Sequence, residues 1–364
     1  MTDRGSESPV DTLAPDHGPG PSVTLRRITP LSAEHTSVEK PQPAVAPTGD
    51  HPVRFAKIGR FGDRFFRGAS LGASIVIIAI VVFVGVFLLW MAVPSLAGDQ
   101  VNFLTSREWD VDDSNNLRFG IAGLLWTTVL SSVVAMIIAV PISVGVALFI
   151  TQYAPRRLAG PLAFVVNLLA AVPSIVFGLW GIIELAPRMQ PVSEFLETYL
   201  GWFGLFGSGV SAGGTVLVAS VVLAIMIIPI VTAISKDVFD QTPTDHLEAA
   251  LALGATRWEK IRMTVLPYGR SGVISASMLG LGRALGETVA VMIILSMPAA
   301  GDPFNPSVLA GGETFASKIA NNAQEFDTPQ KTGAYIAAGL VLFVVTFAVN
   351  AVARVIADRG QAKS

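Results

Sequence analysis

Residues 124–150 read LLWTTVLSSVVAMIIAVPISVGVALFI, inside a 37-residue interval between Arg118 and Arg156 that carries no Asp, Glu, Lys or Arg. Coiled at about 1.5 Å per residue, such a run outreaches the roughly 30 Å apolar core of a bilayer. In lipid every backbone N–H and C=O must be satisfied within the segment, which a helix achieves alone. Working outward, the same signal recurs. There are 31 uncharged residues between Arg67 and Asp99, 26 between Arg157 and Glu184, 38 between Glu197 and Lys236, and 22 between Lys331 and Arg354. Gly272–Met297 is apolar apart from Arg283 and Glu287. The expectation is an all-α polytopic membrane protein with six transmembrane helices: Ala69–Val93, Leu124–Ile150, Leu158–Ile183, Thr215–Ser235, Gly272–Met297 and Thr332–Val355.

Composition agrees. Of 364 residues, 51% are hydrophobic and 14% charged, against about 25% charged in a soluble domain. Cysteine is absent, which excludes disulfides, iron–sulfur clusters, thiolate zinc sites and cysteine nucleophiles. The histidines, His17, His35, His51 and His246, lie outside the apolar runs, so no buried metal site is expected. The net charge of −2 gives no general attraction to nucleic acid. No Gly-Lys dipeptide occurs, so a phosphate-cradling P-loop is missing; the chain is read as a non-enzyme without catalytic residues or a cofactor.

Residues 1–53 hold nine prolines and few large apolar side chains, and read as a disordered cytosolic tail. Residues 54–67 interleave Arg54, Lys57, Arg60, Arg64 and Arg67 with Phe55, Phe61, Phe65 and Phe66, a basic aromatic segment suited to the membrane surface. The transmembrane domain is placed at 68–358, with a cytosolic loop at 236–270 and a short cytosolic tail at 359–364. With both termini in the cytosol, 15 Lys and Arg fall on the inner side near the spans and five on the outer, as the positive-inside rule requires. Acids collect outside: Asp112, Asp113 and Glu313 read as a solvated face able to offer salt bridges to a partner.

Two segments carry specific signals. In the loop after the fourth span, Thr242 is placed to cap a helix begun by Pro243. Gly254 supplies a stop, Thr256 and Glu259 form a second capping box, and Pro267 is expected to end the second helix. In the fifth span Arg283 lies near mid-bilayer, where an arginine is costly unless paired or hydrated. Glu287, four residues on, is expected on the same helical face as its partner. Gly280, Gly282 and Gly286 form a small surface for a second helix. The pair reads either as a structural ion pair or as the lining of an anion pathway, the guanidinium fork suiting an oxyanion.

The run Glu248-Ala249-Ala250, then Gly254 six residues after the glutamate, then Leu266-Pro267, resembles the EAA loop of bacterial ABC importer permeases. Thr264 departs from it by standing where that family has an aliphatic residue. Gly282–Thr288 (Gly-Arg-Ala-Leu-Gly-Glu-Thr), the Leu279–Gly282 run before it, Ala171–Ser174 with Phe177-Gly178, and Thr314–Asn321 resemble the phosphate-specific members, and among them the PstC type. The resemblance covers roughly residues 65–358. It implies the type I ABC importer permease fold in a bacterial cytoplasmic membrane. It also implies Arg283 and Glu287 in the translocation pathway, and coupling through Glu248, Ala249, Ala250, Gly254, Ala255, Leu266 and Pro267. The implied partners are a PstA-like second permease, a PstB-like ATPase dimer holding ATP and magnesium, and a PstS-like extracytoplasmic phosphate-binding protein. A permease for sulfate or molybdate, or a secondary transporter driven by an ion gradient, are the alternatives.

Overall fold

The computed structural model describes residues 60–113, 116–207, 214–297 and 304–361. The expected tail at 1–53, most of the basic aromatic segment and the last residues of the chain lie outside that set, as do the first three histidines. Contacts divide the chain into two units. Of the first, Met1–Arg64, only the backbone from Arg60 is described, and it is helical. The second, Phe65–Ser364, holds the rest of the architecture.

The helices in chain order are α1 (Arg60–Gly98), α2 (Ala122–Leu148), α3 (Arg156–Ala170), α4 (Ser174–Trp180), α5 (Ala186–Leu200) and α6 (Val216–Asp240), followed by α7 (Thr244–Ala252), α8 (Arg257–Lys260), α9 (Leu266–Gly286), α10 (Val289–Ile294), α11 (Phe315–Asn321) and α12 (Pro329–Gln361). A two-residue antiparallel hairpin, β1 (Trp109–Asp110) with β2 (Arg118–Phe119), follows α1. Among the described residues, four helical segments are long and apolar enough to cross a membrane: Phe65–Gly98, Ala122–Tyr153, Val216–Asp240 and Pro329–Val355. The expected third span is a broken one. Arg156–Ala170 and Ser174–Leu200 meet at 87°, and counting the pair as one span brings the number to five. The break falls at Pro173, whose ring removes a helix donor and holds its own backbone extended. The expected fifth span is also divided: α9 stops at Gly286, Glu287 is extended, and the short α10 follows.

The core forms around α6. It packs along α2 and α9, and its apolar residues Val218, Val222, Leu223, Ile227 and Val231 meet Ala135 and Ala139 of α2, Ala276 and Ala284 of α9, and Val291 and Ile294 of α10. Small residues on the neighbours let the backbones approach, the packing mode available where lipid is as apolar as the side chains. Ser143 Oγ on α2 donates to the Ile228 carbonyl at 3.2 Å, and Thr232 Oγ1 returns a bond to the Ser143 carbonyl at 3.4 Å. These hydroxyls sit beside Pro141 and Pro229, the prolines inside α2 and α6.

A second, polar-edged core joins the end of α1 to the start of α12. Trp109, Phe119 and Phe103 stack edge to face, and Trp109 lies against buried Tyr335. Ser95 Oγ donates to the Gln330 carbonyl at 2.7 Å. Two of the acids expected to face solvent or a partner are engaged within the chain, although the Asp112 side chain stays 86% exposed, as expected. Asp112 meets Lys331 Nζ at 2.9 Å, and Glu313 meets Lys318 Nζ at 2.9 Å with both side chains largely buried. The lysines come from segments distant in sequence or folded back by a helix cap, which spacing alone does not reveal.

Candidate translocation pathway and coupling surface

Helix α9 carries Arg283 and leads to Glu287, and its start determines where they point. The loop after α6 opens with α7, whose N-cap is Pro243 rather than Thr242. Pro243 is extended and offers no acceptor, and the Thr242 hydroxyl is buried without a partner among the described residues. The helix ends as the sequence indicates. Gly254 adopts φ +83°, its N–H bonds the Leu251 carbonyl at 3.0 Å, and the Ala255 N–H bonds the Ala250 carbonyl at 3.1 Å. That is a Schellman stop, and its left-handed residue favours glycine. The second capping box is also present: Thr256 Oγ1 accepts from the Glu259 N–H, and the Glu259 carboxylate accepts from the Thr256 N–H at 2.8 Å. The Thr256 backbone N–H, then its hydroxyl, hold the Glu259 carboxyl below the usual glutamate range.

Pro267 does not end this second helix. After α8 a π-helical turn, Ile261–Val265, leads straight into α9, with Pro267 in the first turn of the new helix. The wider turn makes room for the ring, and the absent N–H falls where α-helical bonding restarts. Thr264, the departure from the aliphatic pattern, satisfies its hydroxyl on the Lys260 carbonyl at 2.5 Å.

The resulting hairpin presents an apolar surface. Leu253 is 88% exposed, and Leu251, Trp258 and Met263 are also exposed, beside Glu248 and Ala249. Ala250 is buried and Ala255 half-buried, so these two brace the turn. Leu266 packs against the small core of Phe239, Ile261 and Val265 that seats the hairpin on the end of α6, while Pro267 is exposed. The seven residues expected to couple to a partner thus divide into a presented set and a supporting set.

Deeper in α9, the three glycines of the expected packing surface separate. A Cβ on Gly280 would lie 2.7 Å from Ile227 Cγ2 and 3.0 Å from Val231 Cγ2, so this glycine sets the approach of α9 to α6. Gly282 and Gly286 have nothing within 4 Å at the same position among the described residues. The close approaches that sequence reading missed are Gly269 on Phe239 and Gly272 on Val238, earlier on α9 and also directed at α6. Gly178 of α4 likewise seats the backbone of α10: a Cβ there would lie 2.9 Å from Ala290 Cα.

Arg283 and Glu287 do not form the expected pair. Because α9 ends at Gly286, the four-residue spacing no longer places both side chains on one face. Buried Glu287 instead accepts from the Ala290 N–H at 3.3 Å, where a carboxylate suits the start of α10. Arg283 is left with a buried Nε that has no hydrogen-bond partner among the described residues. It lines a cavity of about 640 Å³ with Ile230 of α6, with Ser275, Met278, Leu279 and Gly282 of α9, and with Asn350 of α12. Chemically this is an apolar-walled opening with one fixed cation and two neutral polar groups. Ser275 and Asn350 were not singled out by sequence reading; the available signal was that Asn350 is the only amide in the span from Thr332 to Val355. No cluster of three or more metal-ligating side chains occurs among the described residues.

A family model described as "Binding-protein-dependent transport system inner membrane component" matches residues 139–360. Among curated relatives, "Phosphate transport system permease protein PstC 2" of Mycobacterium tuberculosis is 56% identical over 82% of this chain and 92% of its own length. "Phosphate transport system permease protein PstC" of Mycobacterium leprae is 53% identical over 81% of this chain and 92% of its own. Among solved structures, one described as a bacterial ABC transporter involved in the import of the acidic polysaccharide alginate aligns with TM-score 0.50 at 13% identity, covering 83% of this chain and 99% of that one. That likeness bears on the fold alone.

Proposed function

The chain belongs to the family of binding-protein-dependent transport system inner membrane components, and we propose that it is the PstC-type permease subunit of an ATP-driven importer of inorganic phosphate. The observation that carries the substrate assignment to particular atoms is Arg283, a guanidinium with a buried nitrogen that has no partner among the described residues, on the wall of a cavity. An unpaired cation in a low-dielectric wall attracts an oxyanion strongly, and its planar fork gives that attraction direction. Glu287 contributes by being occupied elsewhere. Bound to the start of α10, it holds the break after α9 in shape without neutralising Arg283.

Half a pathway in this chain calls for a second permease, PstA-like, to close the other side. The 640 Å³ opening and the free faces of Gly282 and Gly286 support a partner there. The exposed apolar hairpin around Leu251, Leu253 and Trp258 suits a groove on a PstB-like ATPase, which would hold ATP and magnesium. A PstS-like binding protein would deliver phosphate from outside. Both termini of this chain are placed in the cytosol, from the distribution of its basic residues.

The test is uptake of labelled phosphate and, in parallel, labelled sulfate by phosphate-starved cells lacking only this chain, before and after its restoration. Phosphate uptake is expected to fall and recover while sulfate uptake is unchanged. Restoration with Arg283→Gln is expected to leave the complex assembled and phosphate uptake abolished. Loss of sulfate uptake instead would keep the transporter and overturn the substrate; normal uptake by Arg283→Gln would remove Arg283 from the pathway.

A further inference from the structure

The cavity that contains Arg283 is longer than one arginine needs. Ser275 lies eight residues before Arg283 on α9, about 12 Å nearer the cytosolic end at 1.5 Å per residue. Asn350 faces the same cavity from α12. It sits inside the apolar segment Pro329–Val355, is exposed, and makes no hydrogen bond to any described residue. An unpartnered amide facing hydrocarbon loses its hydrogen bonds to water outright, so such a group belongs against a hydrated path. Arg354 follows four residues later on the same face of α12, exposed at the end of the span.

We infer that the release route for the anion runs from Arg283 down this cavity over Ser275 and Asn350 to Arg354, with Asn350 setting charge selectivity along it. The inference rests on the phosphate-permease reading and extends it to residues that reading does not use. A neutral amide offers two N–H donors to a passing oxyanion without holding it as a second arginine would. The serine hydroxyl donates to the Ser271 carbonyl at 3.0 Å and is free to rotate toward an anion. Gly282 leaves the wall open beside Arg283, since nothing approaches within 4 Å of where a side chain would begin. The walls between these stations are Ile230, Met278 and Leu279, which give an anion no place to stop.

The absence of native cysteine makes a direct test possible. Single replacements Asn350→Cys, Ser275→Cys and Val352→Cys would be made in the assembled transporter and reacted in inside-out vesicles with an anionic, sulfonate-bearing methanethiosulfonate. Labelling would be read by mass on this chain alone, with and without inorganic phosphate. Cysteines at 350 and 275 are expected to react, and to react more slowly when phosphate is present; at 352, which is 61% exposed and does not line the cavity, phosphate is expected to have no effect. In parallel, Asn350→Asp is expected to lower phosphate uptake about tenfold or more, because a fixed carboxylate in a low-dielectric path repels the anion. Asn350→Gln should lose less. Phosphate-independent labelling at 350 and 275, or full uptake by Asn350→Asp, would overturn the route. If Arg283→Gln still abolishes uptake while Asn350→Asp does not, only this inference fails. If Arg283→Gln transports normally, the underlying reading fails with it.

Discussion

Helices α1 and α6 are about equally apolar, yet 67% of the most hydrophobic window of α6 is buried within the chain and only 6% of that of α1. The difference does not lie in how greasy the helices are. It lies in what surrounds them. Around α6 stand Ala135, Ala139, Ala276, Ala284 and Gly280, residues small enough to bring three backbones together, with Ser143 and Thr232 bonding across the contact. Along α1 the apolar side chains Ile75 to Trp90 are largely exposed to whatever lies outside the chain; apart from the approach of Gly85 to Phe343, the grip comes at Ala92 and Ser95. Within a bilayer, hydrophobicity decides that a segment spans, and small residues with satisfied hydroxyls decide which span is central.

The sharpest way to break this contrast is to enlarge the residue that holds α9 against α6. In Gly280→Leu the first added carbon already falls 2.7 Å from Ile227 Cγ2, and three more follow. Overpacking of this kind costs about 1–3 kcal/mol, occasionally more, and here it also displaces the helix bearing Arg283. The expected outcome is loss of phosphate uptake and of most assembled transporter, measured by transport and by recovery of the complex after mild heating. Gly282→Leu, on a position with open space around it, should leave assembly of this chain's own core intact. Equal damage to the core from both would mean that α6 is not centred by Gly280.

Much of this is legible in the sequence, and the misses share a cause. Uncharged intervals locate the spans because desolvating a charge is costly wherever it occurs along the chain. Gly254, Thr256 and Glu259 are readable because caps depend on residues within one turn of each other. The expected Arg283–Glu287 pair requires α9 to run on, and no local residue announces the stop at Gly286. The break is held by Glu287 on Ala290 and by Gly178 of α4, more than a hundred residues earlier, seating the α10 backbone. Pro267 misleads for a related reason: proline ends an ordinary helix, and the π-helical turn that lets this one pass depends on how the hairpin packs on Phe239. Lys331 and Asp112 illustrate the same limit across 219 residues.

That ion pair offers a middle-sized test of how α1 is held. Lys331 Nζ lies 2.9 Å from Asp112 and 3.9 Å from Glu325, beside the aromatic cluster that closes over the end of α1. Lys331→Met keeps the stem and removes the charge. The loop between α1 and α2 is then expected to open more often, and trypsin added on the side that this loop faces should cut faster at Arg107 or Arg118, with uptake lowered but not lost. Unchanged cleavage would assign the grip to Ser95 and the aromatic residues alone.

The smallest expected effect, that of Leu89→Ala, is the most instructive when set against the same truncation on α6, because the chemistry is held constant on both sides of the comparison. Leu223 of α6 is 1% exposed and Leu89 of α1 is 49% exposed. Truncating Leu223 to alanine leaves a cavity walled by protein that relaxes only in part, a change that costs about 2–5 kcal/mol in well-packed interiors. Truncating Leu89 leaves a notch that a lipid chain fills, so the transfer and cavity costs both nearly vanish. Thermal inactivation of the purified transporter in lipid should therefore shift clearly for Leu223→Ala and stay within error for Leu89→Ala. A clear shift at Leu89 would mean that a protein surface, not lipid, covers this side of α1 in the assembled complex. The contrast between the two helices would then belong to the isolated chain and not to the working transporter.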